Sequence, residues 1–406
     1  MISALAVVLV GCGQPDVGDR LVIGTAEGLM TLDTGTGRIV DYPPASVATP
    51  DGGIVVTATT RAGSSSIRAV DVAYDRTLWT LGVDEPLEPR LVATGGERVA
   101  LGPPRAEPLP NGYPAGRNTT QIVIAGPDAP VRRFSVAGNV EPEAFSLDGT
   151  ALFVVDYQPA RSPTHYQVRR LDLGTGELGD VFSVDAELQR AMQGVARSQA
   201  WDPEGDRLYT LYTLDPSAHA GVGHTRHAGH GGNAFVHVLD LDEQWAHCID
   251  LPAGFSAGSS TLGLRHPGRL LYAFDVVNGT MAEVDTADLA VTRTAELPIT
   301  APPSARATVT ADDERLFVGV GRDVVVVDQE SLEPIADLRT TATVVDLRPS
   351  ASGDELYVVE RRSVIVLDPA TGEVRGRLDL ELAPDARVVA PVPTIDPARL
   401  ATECAC

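Results

Sequence analysis

The chain has 406 residues, 43% hydrophobic and 21% charged, a composition that excludes a disordered or fibrous protein. Its 55 acidic residues face 32 basic ones, all arginine, for a net charge of −23. Such a surface repels polyphosphates and so excludes nucleic acid and anionic membrane surfaces as partners. The 39 Gly and 30 Pro are about one residue in six, high for a helical protein and ordinary for one built from turns.

In chain order, the first feature is an almost wholly apolar run from Met1 to Val10 that ends in Leu9-Val10-Gly11-Cys12. It is too short to span a bilayer, which takes about 20 residues, but it suits the apolar part of a secretory signal. A small residue before a cysteine at the end of such a run resembles the lipobox of a bacterial lipoprotein. The resemblance implies cleavage before Cys12, lipid on Cys12, and a chain exposed outside the cytoplasmic membrane from Gly13 onward. The first basic residue is Arg20, a departure from the basic start of that pattern; an ordinary signal with an incidental Cys12 is the alternative. The expected division is a signal over 1–11, a spacer over 12–19, one domain over 20–396 and a tail over 397–406.

From residue 20 the chain repeats. Short apolar strands begin at Leu21, Ile54, Val99, Leu152, Leu208, Leu270, Leu316 and Leu356. Most are led by a polar turn such as Pro50-Asp-Gly, Leu147-Asp-Gly or Ser352-Gly-Asp, where Asp bonds its own backbone and Gly accepts positive φ. Leu21 to Leu356 spans seven intervals with a mean near 48 residues. A second strand follows and ends in aspartate at Asp33, Asp71, Asp172, Asp240, Asp285, Asp328 and Asp368; the third unit has Ile122-Val-Ile-Ala-Gly126 instead. Recurrence at one place in each unit marks these aspartates as turn formers rather than acid catalysts.

Each unit therefore holds about four short antiparallel strands, and a lone sheet cannot bury both faces, so the units stack around an axis. The predicted fold is all-β, a β-propeller of four-stranded antiparallel blades, eight by repeat count or seven if the irregular third unit is an elaboration. Val324 to Val327 is apolar without alternation, as a strand sandwiched between blades requires. One short helix is expected around Ala186 to Val195. Residues 386–396, with Arg387-Val-Val-Ala-Pro-Val, are expected to complete the blade begun by residues 20–45, which removes the open edge. A monomer is expected.

Two insertions carry the candidate sites. The first, Pro103 to Thr120, has five prolines; long propeller insertions sit over one face and shape it, which makes Arg105, Tyr113 and Arg117 candidate ligand contacts. The second holds His219, His224, His227 and His230 within twelve residues. Neutral imidazole binds Zn or Cu and the intervening glycines permit wrapping; a solvated Gly-rich loop is the alternative. Otherwise no cofactor is expected. His237 and His247 lie within or beside strands and read as structural. Beyond Cys12 the cysteines are Cys248, Cys404 and Cys406, and an odd number outside the cell leaves one over. Haem-attachment, P-loop, EF-hand, zincin and nucleophile-elbow motifs are lacking.

The repeat Leu-Tyr-Val…Val-x-Val-Asp…Thr-Gly-x-Val, over nearly the whole chain, resembles exported YVTN/YncE-type (WD40-like) propellers. The middle, with Tyr166-Gln-Val-Arg-Arg-Leu-Asp-Leu and Ala234-Phe-Val-His-Val-Leu, is similar to secreted propellers of high-GC Gram-positive bacteria, a source that the absence of lysine fits. The anchor, the rigid repeats and the lack of catalytic motifs favour a lipid-anchored module on the outer face of the cell membrane, or a secreted one, that binds a protein or small ligand. The alternatives are a lactonase-like or metal-dependent propeller enzyme and a His-rich metal-binding surface protein.

Overall fold

The computed structural model describes residues 18–394, except 26–27, 111, 184–191, 193–195, 203–204, 214–233, 256–259, 265–268, 300, 303–304, 306, 313 and 384–385. Every regular element among them is a β-strand, and the strands form eight sheets. The chain is an eight-bladed β-propeller. From the channel outward, the first blade is Arg387–Pro393, Asp19–Thr25, Gly28–Asp33 and Ile39–Asp41. The second runs from Ser46–Ala48 to Arg76–Val83, the third from Glu88–Val92 to Ala129–Ala137, and the fourth from Asn139–Phe145 to Leu178–Asp180. The fifth runs from Ala196–Trp201 to Trp245–Asp250, with Phe182–Ser183 added in parallel outside it. The sixth, seventh and eighth start at Ser260–Leu264, Ala307–Ala311 and Val344–Pro349 and end at Ala290–Glu296, Pro334–Arg339 and Val374–Asp379. The irregular third unit is thus a full blade, and the count of seven is set aside. The segment expected to be helical lies outside the described residues apart from Met192, which pairs with Tyr166 in a β-bridge.

The apolar strands are sandwiched as their sequence predicts. In Asp323–Asp328, Val325 and Val327 pack with Tyr272 and Phe274 of the preceding blade, while Val324 and Val326 pack with Leu347, Leu356 and Val358 of the next. In Ser363–Leu367, Val364 and Val366 face Leu21 and Ile23 across the closure. Each such side chain taken from water is worth about 1.5–3 kcal/mol. The outermost strands alternate or lie exposed, as in Ala290–Glu296.

The seven aspartates form turns. Each carboxylate accepts backbone N–H groups two or three residues ahead, for example Asp285 from Ala287 and Asp288 (2.8 and 3.0 Å) and Asp368 from Ala370 and Thr371 (2.9 and 3.0 Å). At the eighth position, Gly126, a Cβ would collide with the Glu97 carbonyl, so a side chain there is excluded.

Arginines at the start of second strands link neighbouring blades. Arg207 donates through Nε to Asp240 at 3.0 Å and through Nη1 to the Thr286 carbonyl of the next blade at 2.8 Å. Arg315 repeats this with Asp312 (3.0 Å) and the Pro369 carbonyl (2.5 Å), while Arg20 and Arg98 reach the carbonyls of Val72 and Gly149.

Closure follows the expected route. Leu21 pairs with Pro391 and Val22 with Ala390. Asp19, buried, accepts the Ala351 N–H at 2.9 Å and the Tyr357 hydroxyl at 3.0 Å from the eighth blade.

Candidate functional site

Strand polarity gives the ring two unlike ends. The turns from first to second strands, and the aspartate turns from third to fourth, gather at one end; connections from second to third strands and between blades gather at the other. Both ends carry candidate site residues.

At the turn end the channel opens into a cavity of about 760 Å³, within the size range of small-molecule sites. First strands of five blades wall it, contributing Gln199 and Trp201, Leu262 and Gly263, Thr310 and Ala311, Arg348 and Pro349, and Val389 to Pro391. Asp51, Glu314 and Asp354 stand on its rim in the surrounding turns. These walls are held by cross-blade bonds. Asp346, buried, accepts the Thr308 hydroxyl and the Val388 N–H, both at 2.7 Å. Gln199 donates to Glu143 at 3.1 Å and to Thr210 at 3.3 Å.

Two guanidinium groups line the cavity, and they differ. Arg315 is tied to Asp312, at 2.8 Å between Nη2 and Oδ2, and to the Pro369 carbonyl. Arg348 donates through Nε to the Val388 carbonyl at 3.1 Å and makes no ion pair among the described residues. Its terminal nitrogens therefore remain on offer to a cavity that Gln199 and Trp201 also line, as an anion-binding fork requires.

At the loop end, the proline-rich insertion is packed down onto the fourth blade. Tyr113 is buried, its ring 5.7 Å from Tyr157 and 6.2 Å from Tyr166, and the stack continues through Tyr212 (5.2 Å) to Phe235 (5.4 Å). The Ala160 carbonyl accepts Arg117 N–H at 3.0 Å and the Ala115 carbonyl accepts Asn139 Nδ2 at 3.2 Å. The sequence-predicted contacts thus separate: Tyr113 anchors the insertion, whereas Arg105 and Arg117 stand near the channel. Arg117 is half-buried, bonding the Val140 carbonyl at 2.7 Å and pairing with Glu141. Arg105 is exposed, and its backbone N–H donates to Glu88 at 3.2 Å. Glu88 in turn pairs with Arg90 at 3.2 Å. Burial, reinforced by the nearby charge of Arg105, lowers the Arg90 pKa below the ordinary guanidinium value.

His237 is buried in its strand with its ring 6.3 Å from Tyr212, the structural place its sequence suggests. A cavity of about 80 Å³ between the fourth and fifth blades is lined by His237, His247, Cys248 and Met192. Cys12, Cys404, Cys406 and the histidines His219, His224, His227 and His230 lie outside the described residues. Among the described residues no group of three or more His, Cys, Asp or Glu is placed to hold a metal ion.

Sequence reading missed Arg348, Trp201 and Gln199. Their one signal is a polar or aromatic residue within an otherwise small and apolar first strand, as in Val344-Val-Asp-Leu-Arg-Pro.

Among solved structures the chain is similar to the dihydro-heme d1 dehydrogenase NirN in complex with DHE, at 16% identity and a TM-score of 0.52 over 93% of this chain and 76% of that one. The likeness is one of fold. Also matched are apo AztD from Citrobacter koseri (14% identity, TM-score 0.37, 80% and 96% covered) and Kuenenia stuttgartiensis hydrazine synthase (12%, 0.41, 87% and 90%). No protein-family model matches, and no curated protein is similar in sequence. Of the resemblance to YVTN/YncE-type propellers, the β-propeller fold is what is shown.

Proposed function

We propose that this protein is a binding module that takes a small ligand into the turn-end cavity, and that it works outside the cytoplasmic membrane on a lipid anchor at Cys12. The observation that carries the binding reading is the cavity itself: about 760 Å³ with a mixed polar and apolar lining, built on first strands that their neighbours lock in place. A site on rigid strands is pre-organised, which lowers the entropic cost of binding. The anchor reading rests on the apolar run ending in Gly11-Cys12 and on the resemblance of the repeat to exported propellers. It has a geometric consequence. The chain enters the ring at Asp19 beside Ala351, on the same end as the cavity, and seven residues span at most about 25 Å. A lipid on Cys12 therefore holds the cavity mouth toward the membrane.

The test is a thermal-shift screen of the intact protein against a small-molecule library, repeated on Ala351→Trp. Ala351 is an exposed turn residue at the mouth whose backbone N–H bonds Asp19, so the indole obstructs the cavity without removing that bond. Ligands that raise the melting temperature of the wild type should fail to do so in the variant. A screen without hits, or hits that stabilise both proteins equally, refutes the reading.

A further inference from the structure

Resting on the turn-end cavity as a ligand site, we infer that its ligand is a small zwitterion of the amino-acid type with an apolar arm. Its carboxylate is held by Arg348 and its cationic group faces the rim carboxylates. Three features of the cavity point to this chemistry.

The first is the state of Arg348. Its Nε bond to the Val388 carbonyl fixes the plane of the guanidinium, and the terminal N–H groups make no ion pair among the described residues. Arg315, the other cation of the lining, is already neutralised by Asp312. A planar fork of this kind matches a carboxylate in bidentate fashion.

The second feature is the rim. Asp51 and Glu314 are exposed turn residues at the mouth, and neither makes an ion pair among the described residues. If spherical, a cavity of about 760 Å³ is roughly 11 Å across, comparable with the Debye length of about 8 Å at physiological salt. An entering ligand therefore feels both the rim and the guanidinium. A simple anion is repelled on entry, as is a polyanion, more strongly, by a protein of net charge −23. A simple cation is repelled at Arg348. A ligand with both charges suits both regions.

The third feature is apolar. The small side chains of Ala311 and Ala390 line the same space together with Trp201, leaving room for an aliphatic or aromatic arm.

The experiment measures binding by fluorine NMR with three probes: para-trifluoromethyl-phenylalanine, its carboxamide and its N-acetyl derivative. The first is a zwitterion, the second lacks the carboxylate and the third lacks the cation. The zwitterion is expected to bind at least tenfold more tightly than the carboxamide, the value of one charge-assisted contact, and several-fold more tightly than the N-acetyl form. Arg348→Met should reduce zwitterion binding to the carboxamide level, and Arg348→Lys, which keeps the charge and loses the fork, should fall between. Equal binding of zwitterion and carboxamide, or unchanged binding in Arg348→Met, overturns the inference while library hits sensitive to Ala351→Trp leave the cavity reading standing. Equal binding of the N-acetyl form removes the role of the rim. Failure of all three probes at millimolar concentration overturns the inference outright.

Discussion

Ring closure can be tested at a single side chain. Asp19 sits where the first and eighth blades meet and accepts two hydrogen bonds from the eighth, from Ala351 N–H and Tyr357 Oη at 2.9 and 3.0 Å. Hydrogen bonds to a charged acceptor contribute about 1.5–3 kcal/mol each. Asp19→Ala removes both and leaves the Tyr357 hydroxyl, itself buried, with Glu355 at 3.4 Å as its remaining carboxylate. The expected cost is therefore about 3–5 kcal/mol, at the low end if Glu355 moves in to accept the hydroxyl fully. Urea unfolding of wild type, Asp19→Ala, Tyr357→Phe and the double variant measures this cost and the coupling between the two residues. Coupling of about 1–2 kcal/mol is expected, since each single change breaks the same bond. The Asp19→Ala midpoint should fall without a change in slope, because the closed ring persists. A loss under about 0.5 kcal/mol for Asp19→Ala, typical of an ordinary surface position, would refute the assignment of this carboxylate as the closing contact.

Three further outcomes follow from the geometry. Arg207→Met, which severs the link from Asp240 to the Thr286 carbonyl, should lower stability by about 2–3 kcal/mol, read as a fall in melting temperature; a variant as stable as wild type would show that these inter-blade links contribute nothing. Gly263→Ala places a Cβ 2.5 Å from the Val309 carbonyl of the next blade, so it should cost at least about 1–3 kcal/mol, and an unchanged melting point would contradict so close an approach of the two first strands. Backbone N–H bonds from Thr175 and Thr371, then Arg170 and Arg375, draw the carboxyls of Asp172 and Asp368 down from 3.8 to about 2. Because the folded value lies below the unfolded one, their stabilisation is present above about pH 4 and lost as pH falls toward 2; carboxyl carbon NMR should find both titrating near 2, and midpoints near 4 would refute the turn contacts.

How much of this protein is written in its sequence depends on whether a feature repeats. Strands buried on both faces need apolar runs such as Val324 to Val327, turns need Asp and Gly at fixed offsets, and eight copies make those local demands visible through any single irregularity. The closure by residues 387–393 was legible because a strand lacking a partner in its own repeat must find one at the other end of the chain. The third unit, with Gly126 where its siblings have aspartate, obscured the count because the reason lies in the approach of Glu97, in the turn between the first two strands of the same blade, rather than in the strand that ends at Gly126. Tyr113 reads as a candidate ligand contact from a loop, and only packing against Tyr157 and Tyr166 makes it an anchor. The cavity was not legible at all. Arg348, Trp201 and Gln199 come from blades 149 residues apart in the chain at their extremes. Although Asp346 lies as near to Arg348 in sequence as Asp312 does to Arg315, only Arg315 makes the ion pair, because Asp346 is turned to Thr308 and Val388. Periodic hydrophobicity and turn chemistry are set by neighbours in sequence, so sequence determined the propeller. Which side chains converge on the channel, and which charges stay unpaired there, is decided only when the ring closes and distant strands share one wall.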